Sequence, residues 1–328
     1  MHTNSIRYNF LDIAKGIGIL FVVIGHTGIP LLLSKWIWSF HMPLFFFISG
    51  ILFDKSRYPN LLLLLKRRIR TLIIPYLFFT IFVFSLAVII KSSLIDTSYS
   101  QLYLGWDSIA LWFLPILFLT EIFFYITIHF LRYRKYLFRV ILVFSFIGYI
   151  LYKLKIHYPF KFEVVFIALF FYGIGYLYGN SIILYFKTKS FRIKLFYLIL
   201  LFSITLFVSI ILDIRLDLAF NVLGNYLISI PLALLGVIYI IFFSTFIYDY
   251  NIKVLNNILL YLGRNTLVIL SLHQIITVGL ISIFDNFELN KYFSSFTRQS
   301  LLWILLLLCI YIFNKYLPLL IGRKNTLK

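Results

Sequence analysis

The chain has 328 residues, 62% of them hydrophobic and 20% aromatic, with a mean hydropathy of +1.00. No soluble fold of that length buries so much apolar surface, so the composition specifies an integral, polytopic membrane protein and excludes a soluble enzyme or binding module. The formal net charge of +19 falls on alternate loops, which argues against nucleic acid as a partner, and the lone Cys309 excludes a disulfide framework or a thiol metal site.

Ten spans are predicted from runs of about 20 apolar residues, at 9–29, 36–53, 71–91, 108–128, 138–153, 162–180, 193–212, 218–247, 262–284 and 299–321. The first is expected to stay as a helix, since it carries Asp12 and Lys15 and lacks a small-residue cleavage site. Basic residues cluster after the second span (Lys55, Arg57, Lys66, Arg67, Arg68, Arg70), the fourth (Arg132, Arg134, Lys135, Arg139) and the sixth (Lys187, Lys189, Arg192, Lys194). Arg323, Lys324 and Lys328 follow the last. The intervening loops hold Asp96 and Asp107, then Asp213, Arg215 and Asp217, then Asp285 and Glu288. This bias predicts an all-α membrane bundle with both termini cytoplasmic, in a single domain over 1–328 with no soluble C-terminal domain. Lys153, Lys155 and Lys161 go against the pattern and are placed outside.

Ionisable residues inside a bilayer are costly and point to function. Lys15 and His26 are eleven residues apart, close to three helical turns, so they share one face at a separation of roughly 16 Å. Asp12 and Lys15 are spaced to pair across one turn, and Lys15 either meets an anionic group or snorkels to the headgroups. His41, at the start of the second span, lies at a depth similar to that of His26, so the two imidazoles are expected to converge. Histidine suits a general base because its ordinary pKa is near neutral. The basic loop 55–70 reads as a topology signal and headgroup surface, or as a phosphate-attracting site. Trp106 and Trp112 read as interface belt, and Phe45–Phe47 as packing against lipid and neighbours. Glu121 needs a partner, with an interhelical ion pair as the plainer alternative to a site role. Gly173 and Gly175 read as close helix packing. Arg264, Asn265, Ser271, His273 and Gln274 make the ninth span polar; His273 and Gln274 either line a cavity or bond between helices. No metal motif, P-loop or dinucleotide fingerprint is present in the sequence.

Several segments together resemble the membrane-bound acyltransferase 3 family, with its fucose-4-O-acetylase-like branch as the nearest match. They are Leu11-Asp12-x-x-Lys15-Gly16, Gly25-His26 ten residues on, and Phe40-His41-Met42-Pro43 running to Ser49-Gly50. Further on come Arg70 with Pro75-Tyr76, Leu111–Pro115 with Glu121, and Tyr261–Thr266 followed by His273. The resemblance implies transfer of an acyl group, by default acetyl, from cytoplasmic acetyl-CoA to a hydroxyl of a cell-envelope or extracellular polysaccharide sugar, without a metal, in the cytoplasmic membrane. The family's basic-residue-x10-His signature maps onto Lys15 and His26, with Lys where many relatives carry Arg. It makes His26 the base or acyl-accepting imidazole, with His41 as its orienting or relay partner. Asp12, Lys15, Arg67, Arg68, Arg70, Glu121, Arg264 and His273 then bind donor or substrate. Expected partners are membrane lipid, the glycan acceptor and polysaccharide-assembly proteins. The rival readings are an exporter or flippase for polysaccharide or lipid-linked sugar, and a structural subunit of an envelope complex.

Overall fold

Apolar helices make up nearly all of the computed structural model, which describes residues 8–27, 30–90, 109–131, 133–284 and 291–323. Asp96, Trp106, Asp107, Arg132, Asp285, Glu288, Lys324 and Lys328 lie outside the described residues. The α-helices are α1 (Asn9–Gly25), α2 (Leu31–Trp38), α3 (His41–Leu52), α4 (Leu61–Arg68), α5 (Ile74–Ile89), α6 (Phe113–Phe130) and α7 (Arg134–Lys153). They continue with α8 (Phe162–Lys187), α9 (Phe191–Ile211), α10 (Tyr226–Asp249), α11 (Lys253–Arg264), α12 (Thr266–Phe284) and α13 (Lys291–Tyr316). No β-strand occurs among the described residues; a single isolated bridge pairs Asp217 with Val222. Nine helical stretches are long and apolar enough to cross a membrane among the described residues. With α1, whose 17 residues lie at the lower limit for a span, the count matches the ten predicted. The protein is an all-α polytopic helical bundle.

The centre of the bundle is α1, which packs against α2, α3, α10, α11 and α12. A helix surrounded in this way is largely apolar around its circumference, and α1 buries every residue from Phe10 to Ile19 except Lys15. Glycines bring backbones together at two crossings. Gly16 and Gly263 seat α1 against α11, where an added Cβ would meet the carbonyls of Leu259 and Asp12. Gly50 and Gly175 do the same between α3 and α8, against the carbonyls of Tyr172 and Phe47. Gly173 packs on Ile141, so this glycine pair serves helix packing.

Four predicted boundaries move, each for a local reason. The second span begins at Leu31 and breaks at Ser39–Phe40, where the Ser39 hydroxyl donates to Trp36 O at 2.7 Å. That break puts His41 in the first turn of α3. The basic stretch 55–70 is largely helical: α4 starts at Leu61, capped by the Asn60 carboxamide, and passes through a π-turn at Ile69–Ile73 into α5. Residues 213–225, partly assigned to a span, form a loop. Asp213, Asn221 and Gly224 have positive φ there, and the Asp217 carboxylate accepts from the amides of Ala219 and Phe220. The ninth span breaks at Asn265, so Arg264 ends the amphipathic α11 and lies outside the apolar span.

The charge pattern of the loops reappears as two ends of the bundle. Lys187 sits 4.4 Å from the Phe10 ring, and Arg323 donates to Arg264 O at 2.6 Å, both near the start of α1. Arg215, Asp217 and Lys161 lie with His26 or with the loop that covers it. Lys161 is buried and bonds to Ala219 O, so this lysine anchors that loop.

Candidate active site

At the basic end a cleft of about 1040 Å³ is lined by Lys15, Arg67 and Arg68, together with Tyr58, Tyr176 and Asn180. Lys15 pairs with Asp12 at 2.6 Å, and Asp12 also lies 3.6 Å from the Arg264 guanidinium. Asp12 is thus a buried carboxylate between two cations, placed to orient Lys15. Glu121 does not line the cleft. It is buried in a salt bridge with Arg68, and Tyr172 OH donates to it at 3.5 Å. The carboxylate holds Arg68 at the cleft wall, which gives Glu121 the ion-pair role. Arg70 lies in the π-turn and donates to Arg323 O at 3.3 Å, and Arg264 reaches Asn9 at 3.3 Å. Neither Arg70 nor Arg264 lines the cleft. At the rim, hydrogen bonds from Ser56 hold the Asp54 carboxyl below the usual range, helped by Arg57 at 3.2 Å.

Next to the cleft lies an apolar slot of about 190 Å³ that shares Lys15 and Leu52 with it. Its walls are Ile19, Phe45, Ile48, Leu114 and Leu117, with Met42 at the far side. Phe45, Phe46 and Phe47 are all buried, so this run packs on protein and not on lipid.

Met42 is shared with a third space of about 260 Å³ at the histidine end, lined by His26, Trp38, His41, Trp112, Arg215 and Gln274. The loop 213–225 covers it through Leu216–Phe220. Trp112 is buried in this wall and does not belong to an interface belt. His26 and His41 do converge, with Trp38 edge-on to both at 5.2 and 5.1 Å. The imidazole packed on His26 is that of His273, 5.3 Å between ring centroids. Arg215 lies over the Trp38 ring at 4.3 Å and pairs with Asp217 at 2.9 Å. Burial pushes the Asp217 carboxyl up, against the opposing pull of Arg215 and the loop amides. A fourth space of about 330 Å³ meets the third at His26 and is lined by Thr27, Thr277, Arg298 and Gln299.

Four spaces that share wall residues therefore lie in succession between a cationic mouth and a cluster of imidazoles, with an apolar slot between. Among the described residues no group of three or more His, Cys, Asp or Glu side chains is arranged to hold a metal ion. Such a layout suits a donor with an anionic head and a long, weakly polar arm whose reactive end reaches His26. Sequence reasoning missed Trp38, Arg215 and Asp217, which the chain brings in from a kink and a loop. The charged residues Asp213, Arg215 and Asp217, alternating with apolar ones beside an apolar run, were the available signal.

Comparison with curated proteins finds no match, and comparison with solved structures finds none either. A family model described as an acyltransferase domain matches residues 8–322, taking in the cleft, the slot and the three clustered histidines. The chain belongs to the acyltransferase 3 family.

Proposed function

We propose that the protein is an O-acetyltransferase of the cytoplasmic membrane. It moves acetyl from cytoplasmic acetyl-CoA to a hydroxyl of a cell-envelope or extracellular polysaccharide sugar. The observation that carries this reading is the row of adjoining spaces joining Lys15, Arg67 and Arg68 to His26. The phosphates of the donor fit the cations, where arginine offers paired donors and Lys15 a point charge. Its arm fits the apolar slot, and the thioester then arrives beside His26. The acceptor sugar fits the third space, where Trp38 and Trp112 offer ring faces and Arg215, Asp217 and Gln274 offer hydrogen bonds. Basic loops at the donor end support a cytoplasmic placing of that end and of both termini. His26 deprotonates the acceptor hydroxyl, which attacks the thioester carbonyl carbon, and the thiolate leaves.

The test is steady-state acetyl transfer by purified protein in liposomes, with acetyl-CoA and de-O-acetylated envelope glycan. Arg67→Ala is expected to raise the donor KM about tenfold, in line with loss of a charge-assisted phosphate contact, and to leave the acceptor KM unchanged. A donor KM that ignores Arg67 would remove the cleft from the donor path.

A further inference from the structure

The hydrogen-bond partners of the three imidazoles fix which nitrogen of each carries a proton. A carbonyl oxygen only accepts, so His41 donates its Nδ1–H to Ile37 O at 3.0 Å. His273 likewise donates its Nδ1–H to the carbonyls of Ile269 and Leu270, each at 3.0 Å. When neutral, both rings present a bare Nε2. The Nε2 of His273 is buried with no hydrogen-bond partner among the described residues. A buried acceptor left unused costs free energy, so this nitrogen calls for a role.

His26 is set the opposite way, by Gln274. The backbone N–H of Ala110 donates to Gln274 Oε1, which fixes the amide, because a flipped amide would turn its own N–H groups on that donor. Gln274 Nε2 then faces His26 Nδ1 at 3.5 Å, a donor against a lone pair. Neutral His26 therefore carries its proton on Nε2. A separation of 3.5 Å is long for a bond but suits a guest: an oxygen at about 2.8 Å from both nitrogens needs neither to move. Both residues line the same 260 Å³ space, so such an oxygen has somewhere to come from.

We propose that His26 takes the acceptor's proton on Nδ1, with Gln274 holding the acceptor oxygen and the bare Nε2 of His273, unbonded in this structure but on a ring 5.3 Å from that of His26 between centroids, drawing in the His26 Nε2–H as positive charge develops. This rests on the acyl-transfer reading above. The acceptor O–H bond breaks, its proton passes to Nδ1, and its electron pair forms the new C–O bond to the thioester carbonyl carbon. The C–S bond breaks as the tetrahedral intermediate collapses, and the thiolate leaves with the proton from Nδ1. His26 begins and ends neutral. Its Nε2 proton stays in place throughout, and the His273 acceptor, backed by two carbonyls, stabilises the transient imidazolium. Gln274 touches the reacting oxygen and is a catalytic residue. His273 acts through His26 and is a positioning residue. The partner role expected of His41 thus passes to His273.

Two measurements test this. The first reads kcat and KM for His273→Leu and His273→Gln with acetyl-CoA and de-O-acetylated envelope glycan. A glutamine carbonyl can stand where Nε2 accepts; leucine cannot. His273→Leu is expected to lower kcat about 10²-fold with both KM values held within about threefold, and His273→Gln to recover about tenfold of the loss. Equal kcat losses in the two variants, or a loss confined to KM, would overturn the proposal. The second needs no folded variant of His273: solid-state ¹⁵N NMR of histidine-labelled wild-type protein in lipid, from a preparation assayed for acetyl transfer, with the His26 signal assigned by its loss in His26→Gln. A neutral ring protonated at Nε2 is expected. Protonation at Nδ1, in protein that transfers acetyl, overturns this inference alone. Wild-type protein that transfers no acetyl overturns the acyl-transfer reading and the step built on it.

Discussion

The Arg68–Glu121 pair shows how a charge is held inside this bundle. Glu121 is nearly inaccessible and Arg68 is 22% exposed at the cleft wall, so each depends on the other. Removing one partner of a buried pair costs about 3–5 kcal/mol, because the remaining charge keeps its desolvation penalty. Glu121→Gln is therefore expected to lower the unfolding temperature in detergent sharply, and Arg68→Gln added to it to recover part of the loss. A Glu121→Gln protein as stable as wild type would mean that Arg68 finds compensation elsewhere. Much of this scale was legible in sequence. Asp12 and Lys15 pair as their spacing of three requires, and His26 and His41 reach a common space as their depths require. The state of the His26 ring was not legible, since it depends on Gln274, which is itself oriented by the distant Ala110 amide.

Glycine placement decides which helices touch. Gly263 leaves no room for a methyl group beside the Asp12 carbonyl, whereas Gly279 has nothing within 4 Å of an added Cβ. Gly263→Ala is expected to push α11 off α1 and cost about 1–3 kcal/mol or more in thermal unfolding. Gly279→Ala, by the same measurement, is expected to be neutral or to stabilise by about 0.5–1 kcal/mol through helix propensity. Equal effects would contradict the packing described. Hydropathy alone found each span but misplaced its breaks. Apolar content does not register the Ser39 bond that interrupts the second span, nor the Asp217 turn that lifts residues 213–225 into a loop. That turn is held from outside by Lys161, whose partner Ala219 lies 58 residues away. Contacts of this kind leave no local periodicity to read.

The whole molecule places a cationic cleft and an imidazole cluster at opposite ends of one central helix, with an apolar slot between them. The first helix carries the ends of this path in its own sequence, Lys15 and His26, which is why the resemblance to acyltransferases was readable at once. The walls come from α2, α3, α4, α6, α8, α12, α13 and the 213–225 loop, and only packing assembles them. The central claim is that an acyl group crosses this path and is delivered at His26. It is tested most directly by the O-acetyl content of envelope glycan from cells carrying wild-type protein or His26→Ala, at matched membrane levels. The account predicts loss of the ester with normal amounts of glycan exported. Unchanged O-acetylation, with or without impaired export, would contradict it.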